Sequence, residues 1–142
     1  MLECLIMGDS IAVGTKMFAP QECVAYAKGG INSWQWNQRW GMNPVSAKTI
    51  IISLGTNDHV GVKTDVELLK IRKRIPRGSR VVWIMPPCNV RFCKLGVNAM
   101  VRSVAVSYGD RIISTTYLQP DHIHPSWRGY KDLVNKATAD SK

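Results

Sequence analysis

The chain has 142 residues and a formal net charge of +9, with 45% apolar and 20% charged residues, a balance that suits one globular domain with its own core. No apolar run approaches the roughly 18 residues of a membrane span. The first residues run straight into a strand pattern, without the basic, apolar and small-residue stretches of a secretion signal, so a cytoplasmic protein without a membrane segment is expected.

Leu2 to Met7 is an apolar run that reads as a short buried strand. It stops at Gly8-Asp9-Ser10, and small residues then lead into a helical stretch that gives way near Pro20. A serine on such a strand-to-helix turn is either a helix cap or a nucleophile held clear of the sheet. Cys23 to Tyr26 is a second strand, Lys28 to Ser33 a glycine turn, and Trp34 to Trp40 a tryptophan-rich segment. Lys48 to Leu54, with Ile50-Ile51-Ile52, has the unbroken β-branched character of a central strand covered on both faces. It ends in Gly55-Thr56-Asn57-Asp58-His59. Thr64 and Glu67 are spaced as a capping box for a helix carrying Leu68, Ile71 and Ile75. Val81 to Met85 is a fourth strand, closed by Pro86-Pro87. Val97, Met100, Val101, Val104, Ala105 and Tyr108 mark an amphipathic helix. Ile112-Ile113 offers a fifth strand. A last helix from about Ser126 should turn Trp127, Tyr130, Leu133, Val134 and Ala137 inward.

Residues 1–142 contain no repeat, linker or low-complexity tract and read as a single domain. Strands alternating with helices predict an α/β protein with a parallel sheet covered on both sides, whose ligands bind beyond the carboxyl ends of the strands. The polar and glycine-rich loops after strands one, two, three and five should therefore meet on one edge. Lys70, Arg72, Lys73, Arg74, Arg77 and Arg80 form the only dense basic cluster. Without a stacking platform or recognition helix beside it, the cluster reads as a solvated helix end, and no nucleic-acid partner is expected. Cys4, Cys23, Cys88 and Cys93 show no zinc-type spacing and are expected as buried free thiols, with a disulfide between Cys4 and Cys23 or between Cys88 and Cys93 as the lesser alternative.

His124 could activate Ser10, and Asp121 precedes it by three positions, close enough on a tight turn to orient the imidazole. Donors to a developing oxyanion could come from the backbone N–H groups of Ser10 and Gly30 and from the Asn57 amide. By local pattern alone, Gly30 could equally be a turn glycine and Asn57 an Asx-turn residue.

Gly8-Asp9-Ser10, Gly30, Gly55-Thr56-Asn57-Asp58 and Asp121-His122-Ile123-His124-Pro125-Ser126, in that order, resemble the four sequence blocks of the SGNH (GDSL-type) hydrolases, with Gly129-Tyr130 fitting the closing helix. The resemblance covers nearly the whole chain. It implies a three-layer α/β/α, flavodoxin-like fold with a five-stranded parallel sheet in the order 2-1-3-4-5. It also implies hydrolysis of esters without a cofactor. The catalytic residues would be Ser10, Asp121 and His124, and the oxyanion hole Ser10, Gly30 (or its neighbour Gly29) and Asn57. The chain is short for the family, so an open groove selective for small, acetyl-like acyl groups is expected, with O-acetyl groups on a saccharide among the candidate esters. Asp9, His59, Trp34 and Trp127 are the candidate substrate-binding residues, with Trp36 after the glycine turn and Arg91 and Lys94 on the loop after Pro86-Pro87 also bordering the groove. The resemblance also leaves room for a phage or virion association.

Two rival readings fit the residues less well. A metal site built from His59, His122, His124, Asp58 and Asp121 is disfavoured because His122 and His124 alternate on an extended segment and point apart. A catalytically silent glycan-binding module has no physical need for Ser10, Asp121 and His124 together.

Overall fold

The computed structural model describes residues 1–139. Strand β1 (Leu2–Gly8) alternates between two buried layers: Leu5 and Met7 face one, Cys4 and Ile6 the other. Helix α1 (Ser10–Phe18) leads to β2 (Cys23–Ala27), and α2 (Ser33–Trp40) returns the chain past β1 to β3 (Ala47–Ser53). Then follow α3 (Thr64–Arg74), β4 (Arg80–Met85), α4 (Leu95–Ser107), β5 (Arg111–Ser114) and α5 (Trp127–Thr138). All pairings are parallel and the strand order is β2-β1-β3-β4-β5, as expected.

The reversal after β2 decides which face each helix covers, because parallel crossovers keep one hand. Helices α2, α3 and α4 pack Trp36, Leu68, Ile71, Val101 and Ala105 over Leu5, Met7, Ile50, Ile52 and Trp83. On the other face, α1 and α5 pack Ile11, Ala12, Tyr130, Leu133 and Ala137 over Ile6, Ile51, Val82, Ile84 and Ile113. Helices α1 and α5 also meet each other. A Cβ on Gly14 would lie 2.2 Å from the Tyr130 ring, whose other neighbour is Phe18, stacked at 6.1 Å between centroids. Every carboxyl end lies on one edge, and the β1–β3 boundary, where the chain changes direction, is the switch point.

Several local expectations are corrected. Thr64 is the first residue of α3, not its cap: its hydroxyl donates to Asp58 instead (2.7 Å), and the Glu67 carboxylate accepts from Asn37 (2.9 Å). Trp127 points outward, 77% exposed, while Trp36 is fully buried with its indole N–H donating to the Tyr26 carbonyl (2.9 Å). The basic cluster is only in part a solvated face. Arg72 forms a two-bond pair with Asp110 (2.7 and 2.9 Å), which also accepts from Trp83 (2.9 Å), and Arg74 donates to the carbonyls of Trp40 and Asn43. Lys73 and Arg77 are exposed.

The cysteines are not free thiols. Cys4 and Cys23 are register partners on β1 and β2 and form a disulfide, and Cys88 and Cys93 close a second one across the loop after β4. The spacing alone could not reveal the first pair, which depends on two strands lying side by side. No helix among the described residues is long and apolar enough to cross a membrane.

The Cys4–Cys23 bridge ties an edge strand across 19 positions of chain, which should stabilise the fold by about 3 kcal/mol by restricting the unfolded state. The double variant Cys4→Ala with Cys23→Ala should accordingly lose about that much stability in urea unfolding. An unchanged midpoint would show that the bridge does not act on the folding equilibrium.

Candidate active site

Ser10 owes its position to a crowded backbone. At Gly8, φ is +144° and a Cβ would fall 1.8 Å from the Ser53 carbonyl oxygen, so β1 and β3 can end in contact only with glycine there. The Asp9 N–H donates to that same carbonyl (3.0 Å). Asp9 then caps α1 by accepting from the Ile11 N–H (3.0 Å), leaving Ser10 as the first helical residue, half-buried at the sheet edge. Its N–H belongs to the first turn, where no intrahelical acceptor exists.

Asp9 does not face substrate. It is fully buried and receives the Ser53 hydroxyl (3.0 Å) on the oxygen that caps the helix, while its other oxygen has no partner among the described residues. Burial pushes its pKa up to about 7, against the pull of the Ser53, Ile11 and Ala12 donors.

His124 is delivered by a hairpin-like loop between β5 and α5. Leu118 and Pro125 form an antiparallel bridge, the Gln119 N–H donates to the His124 carbonyl (2.7 Å), and the Ser126 N–H donates to the Tyr117 carbonyl (2.8 Å). Ser126 then caps α5. Within the loop, one Asp121 oxygen accepts from the N–H groups of Ile123 and His124 (2.9 Å each), and the other lies 2.6 Å from His124 Nδ1. Partial burial works to raise the Asp121 pKa but is outweighed. Hydrogen bonds from the His124 ring and from the two backbone N–H groups, with the charge of His124, hold it down at about 2. An ionised carboxylate on Nδ1 selects the tautomer with its proton there, so Nε2 is left to accept the Ser10 hydroxyl proton at 2.7 Å.

Gly30 and Asn57 stand on the loops after β2 and β3. Gly30 has φ +76°, and its N–H donates to no group among the described residues. Gly29 lies closer to the serine, since a Cβ placed on it would be 3.8 Å from Ser10 Cβ. The Asn57 amide uses one proton on the Ile31 carbonyl (3.1 Å), which turns the group towards the glycine loop and leaves a second donor. Both loops are tied to one buried carboxylate. Asp58 accepts from the Ser33 N–H (2.8 Å), the Ser33 hydroxyl (2.6 Å) and the Thr64 hydroxyl (2.7 Å), and Asn32 and Gln35 form a capping box beside it on α2.

Two more residues brace this edge, and sequence reasoning did not assign them that part. The Lys94 ammonium donates to the carbonyls of Thr56 (3.0 Å) and Asp58 (2.6 Å), on either side of Asn57. The Asn89 amide, inside the Cys88–Cys93 ring, donates to the His122 carbonyl (2.7 Å). His122 itself has φ +60°. The signal for this loop was the cysteine pair five positions apart.

The remaining candidates scatter. Trp34 is half-exposed on α2 beside Gly30, in a groove of about 600 Å³. His59 is exposed in a separate groove, with its Nδ1 accepting the Gly61 N–H (3.1 Å). Trp127 lies exposed just past the histidine loop, and Arg91 is exposed on the disulfide loop. Among the described residues, no three His, Cys, Asp or Glu side chains are grouped to hold a metal ion.

No protein-family model matches the chain, and no curated protein matches it in sequence. Solved structures do. A member of the lipolytic G-D-S-L family from Veillonella parvula aligns over 96% of both chains at 15% identity, with a TM-score of 0.62. A variant of an acetyl xylan esterase from Geobacillus stearothermophilus aligns over 94% of this chain and 91% of its own at 13% identity and TM-score 0.66. The C-terminal catalytic domain of peptidoglycan O-acetyltransferase A from Streptococcus pneumoniae aligns over 95% and 91% at 17% identity and TM-score 0.64. The fold is that of the SGNH hydrolases. Within an SGNH fold, the edge that carries Ser10, Gly30, Asn57 and His124 is where the strands end.

The state of Asp9 can be tested through stability. Because the folded state holds its proton up to about pH 7 while an unfolded aspartate releases it near 3.8, folding should weaken as pH rises through that window. The span corresponds to on the order of 4 kcal/mol. Asp9→Asn removes this load, so its stability relative to the parent, from urea unfolding, should improve by about that much between pH 4 and pH 8. A constant difference across the range would show that Asp9 ionises normally in the fold.

Proposed function

We propose that the chain is a serine esterase that acts through an acyl-enzyme on Ser10, with small acyl groups, acetyl above all, as its substrates. The observation that carries this reading is the continuous chain Ser10 Oγ–His124 Nε2–Asp121, 2.7 and 2.6 Å at its two links. The likeness in fold to an acetyl xylan esterase and to an O-acetyltransferase supports acetyl chemistry on a saccharide.

In this reading the Ser10 oxygen attacks the ester carbonyl as its proton passes to His124 Nε2, and the Asp121 carboxylate stabilises the imidazolium so formed. The carbonyl oxygen takes the negative charge and is received by the N–H groups of Ser10 and Gly30 and the free proton of the Asn57 amide. Collapse of the tetrahedral adduct breaks the C–O bond, and His124 gives its proton to the departing alcohol. Water, deprotonated by His124, then releases the acid and restores Ser10. Acylation and deacylation each begin with a neutral imidazole able to accept a proton, so activity should be lost in acid.

The two disulfides suit an oxidising compartment better than the reducing interior expected at first.

Ser10→Ala should lower hydrolysis of an aryl acetate by on the order of 10⁴-fold or more, and a fluorophosphonate should label the parent at Ser10 only. Asn57→Ala should lower kcat by about 10²–10³ with little change in KM, the mark of a donor used in the transition state. Undiminished turnover by Ser10→Ala would remove the proposal. An intact, correctly folded parent with no turnover and no labelling would point to a glycan-binding module instead.

Acyl length provides a separate check. An open edge gains little from each further buried CH₂, so an aryl acetate should be hydrolysed faster than an aryl ester of about ten carbons. The opposite order would require a lipid-binding cleft.

A further inference from the structure

The groove on the Gly30 side of Ser10 has a chemistry of its own. Its volume of about 600 Å³ is far more than an acetyl group needs and falls in the range of small-molecule sites. Lys28, Gly30, Trp34, Gln38 and Arg39 form its walls, and Ile31 is buried in its floor. It begins beside the serine, because a Cβ on Gly29, which also lines it, would stand 3.8 Å from Ser10 Cβ, and nothing lies within 4 Å of where a Gly30 Cβ would stand.

Three features of the lining converge on one class of ligand. Trp34 is 51% exposed, although Trp36, two residues further along α2, is wholly buried, so the helix presents one indole to the core and the other to the groove. A flat aromatic face of this kind packs against the C–H face of a sugar ring. Gln38 adds an exposed amide able to donate to and accept from hydroxyl groups. Lys28 and Arg39 place two cations on the groove, no carboxylate lines it, and neither residue forms an ion pair among the described residues. Arg39 rests 4.9 Å over the Trp40 ring, which orients its guanidinium without neutralising it.

We infer that this groove is the subsite for an acidic saccharide, whose ring stacks on Trp34 and whose carboxylate or phosphate pairs with Lys28 and Arg39 while an ester elsewhere on it reaches Ser10. The inference rests on the esterase reading for its orientation towards Ser10, but the binding it asserts can be measured without turnover. A planar guanidinium matches the two oxygens of a carboxylate or phosphate, and the ammonium of Lys28 adds a second point charge.

The test uses the full chain carrying Ser10→Ala, titrated by calorimetry and by tryptophan fluorescence. The ligands are a uronic-acid trisaccharide, a phosphorylated neutral trisaccharide and xylotriose. At low salt at least one of the two acidic ligands should bind roughly tenfold more tightly than xylotriose. Which of the two does so identifies the anion. The advantage should shrink with added salt and vanish in Lys28→Gln with Arg39→Gln, while Trp34→Ala should weaken all three ligands. Equal binding of acidic and neutral sugars would overturn the proposal, as would an acidic preference that survives in the double variant. If the parent hydrolyses aryl acetate but shows no acidic preference, the groove assignment alone falls. If the preference is present without hydrolysis, the subsite stands and the esterase reading falls.

Discussion

The site hangs on a contact between two backbones. β1 and β3 end side by side with Gly8 pressed against the Ser53 carbonyl, and no side chain larger than hydrogen fits between them. From that contact the next two residues follow almost mechanically. The Asp9 N–H is drawn to Ser53, its carboxyl is buried as the cap of α1, and Ser10 emerges at the start of the helix with its hydroxyl turned to His124. A buried carboxyl with one unpartnered oxygen is costly, and burial raises its pKa accordingly. Asp9 thus serves the proposed nucleophile by holding the turn, not by touching a substrate.

A second carboxylate does comparable work on the opposite side. Asp58 gathers three donors from α2 and α3, and through Ser33 and Thr64 it fixes the Gly30 turn and the Asn57 loop relative to each other. Lys94 grips the same loop from the far side through two carbonyls. Asn57 is therefore held by its neighbours on both sides, and its amide needs no reorganisation to face the glycine loop. That is the condition under which hydrogen-bond donors act most strongly on a developing charge.

Much of this was legible in the chain itself. The Ile50-Ile51-Ile52 run announced a strand covered on both faces, and the alternation of elements announced the parallel sheet. Ser10 and the Asp121–His124 pair stood out by their local pattern, whereas Gly30 and Asn57 were singled out by the resemblance to the SGNH sequence blocks. The cysteine pairing was not legible from spacing. Cys4 and Cys23 meet only because β1 and β2 are neighbours, and local spacing carries no trace of that. Thr64 had the local pattern of a cap, but Asp58 six residues earlier offered its hydroxyl a buried charged partner. The tryptophans divided in a way periodicity could not foresee: Trp36 found a carbonyl for its indole N–H in the core, whereas Trp34 and Trp127 had none and stayed at the surface.

Helices α1 and α5 share one face of the sheet, and each begins at the edge where the strands end: Ser10 opens the first, and His124 lies just ahead of the second. They touch where Gly14 receives the Tyr130 ring. The two arms thus behave like calipers, with Gly14 and Tyr130 as the rivet and the Ser10–His124 gap as the opening between the tips. Bulk added at the rivet would be read out at the tips, about one helical turn away along α1. The separation of Ser10 Oγ and His124 Nε2 is in this sense a property of side-chain volume in the core, set by residues away from the sheet edge.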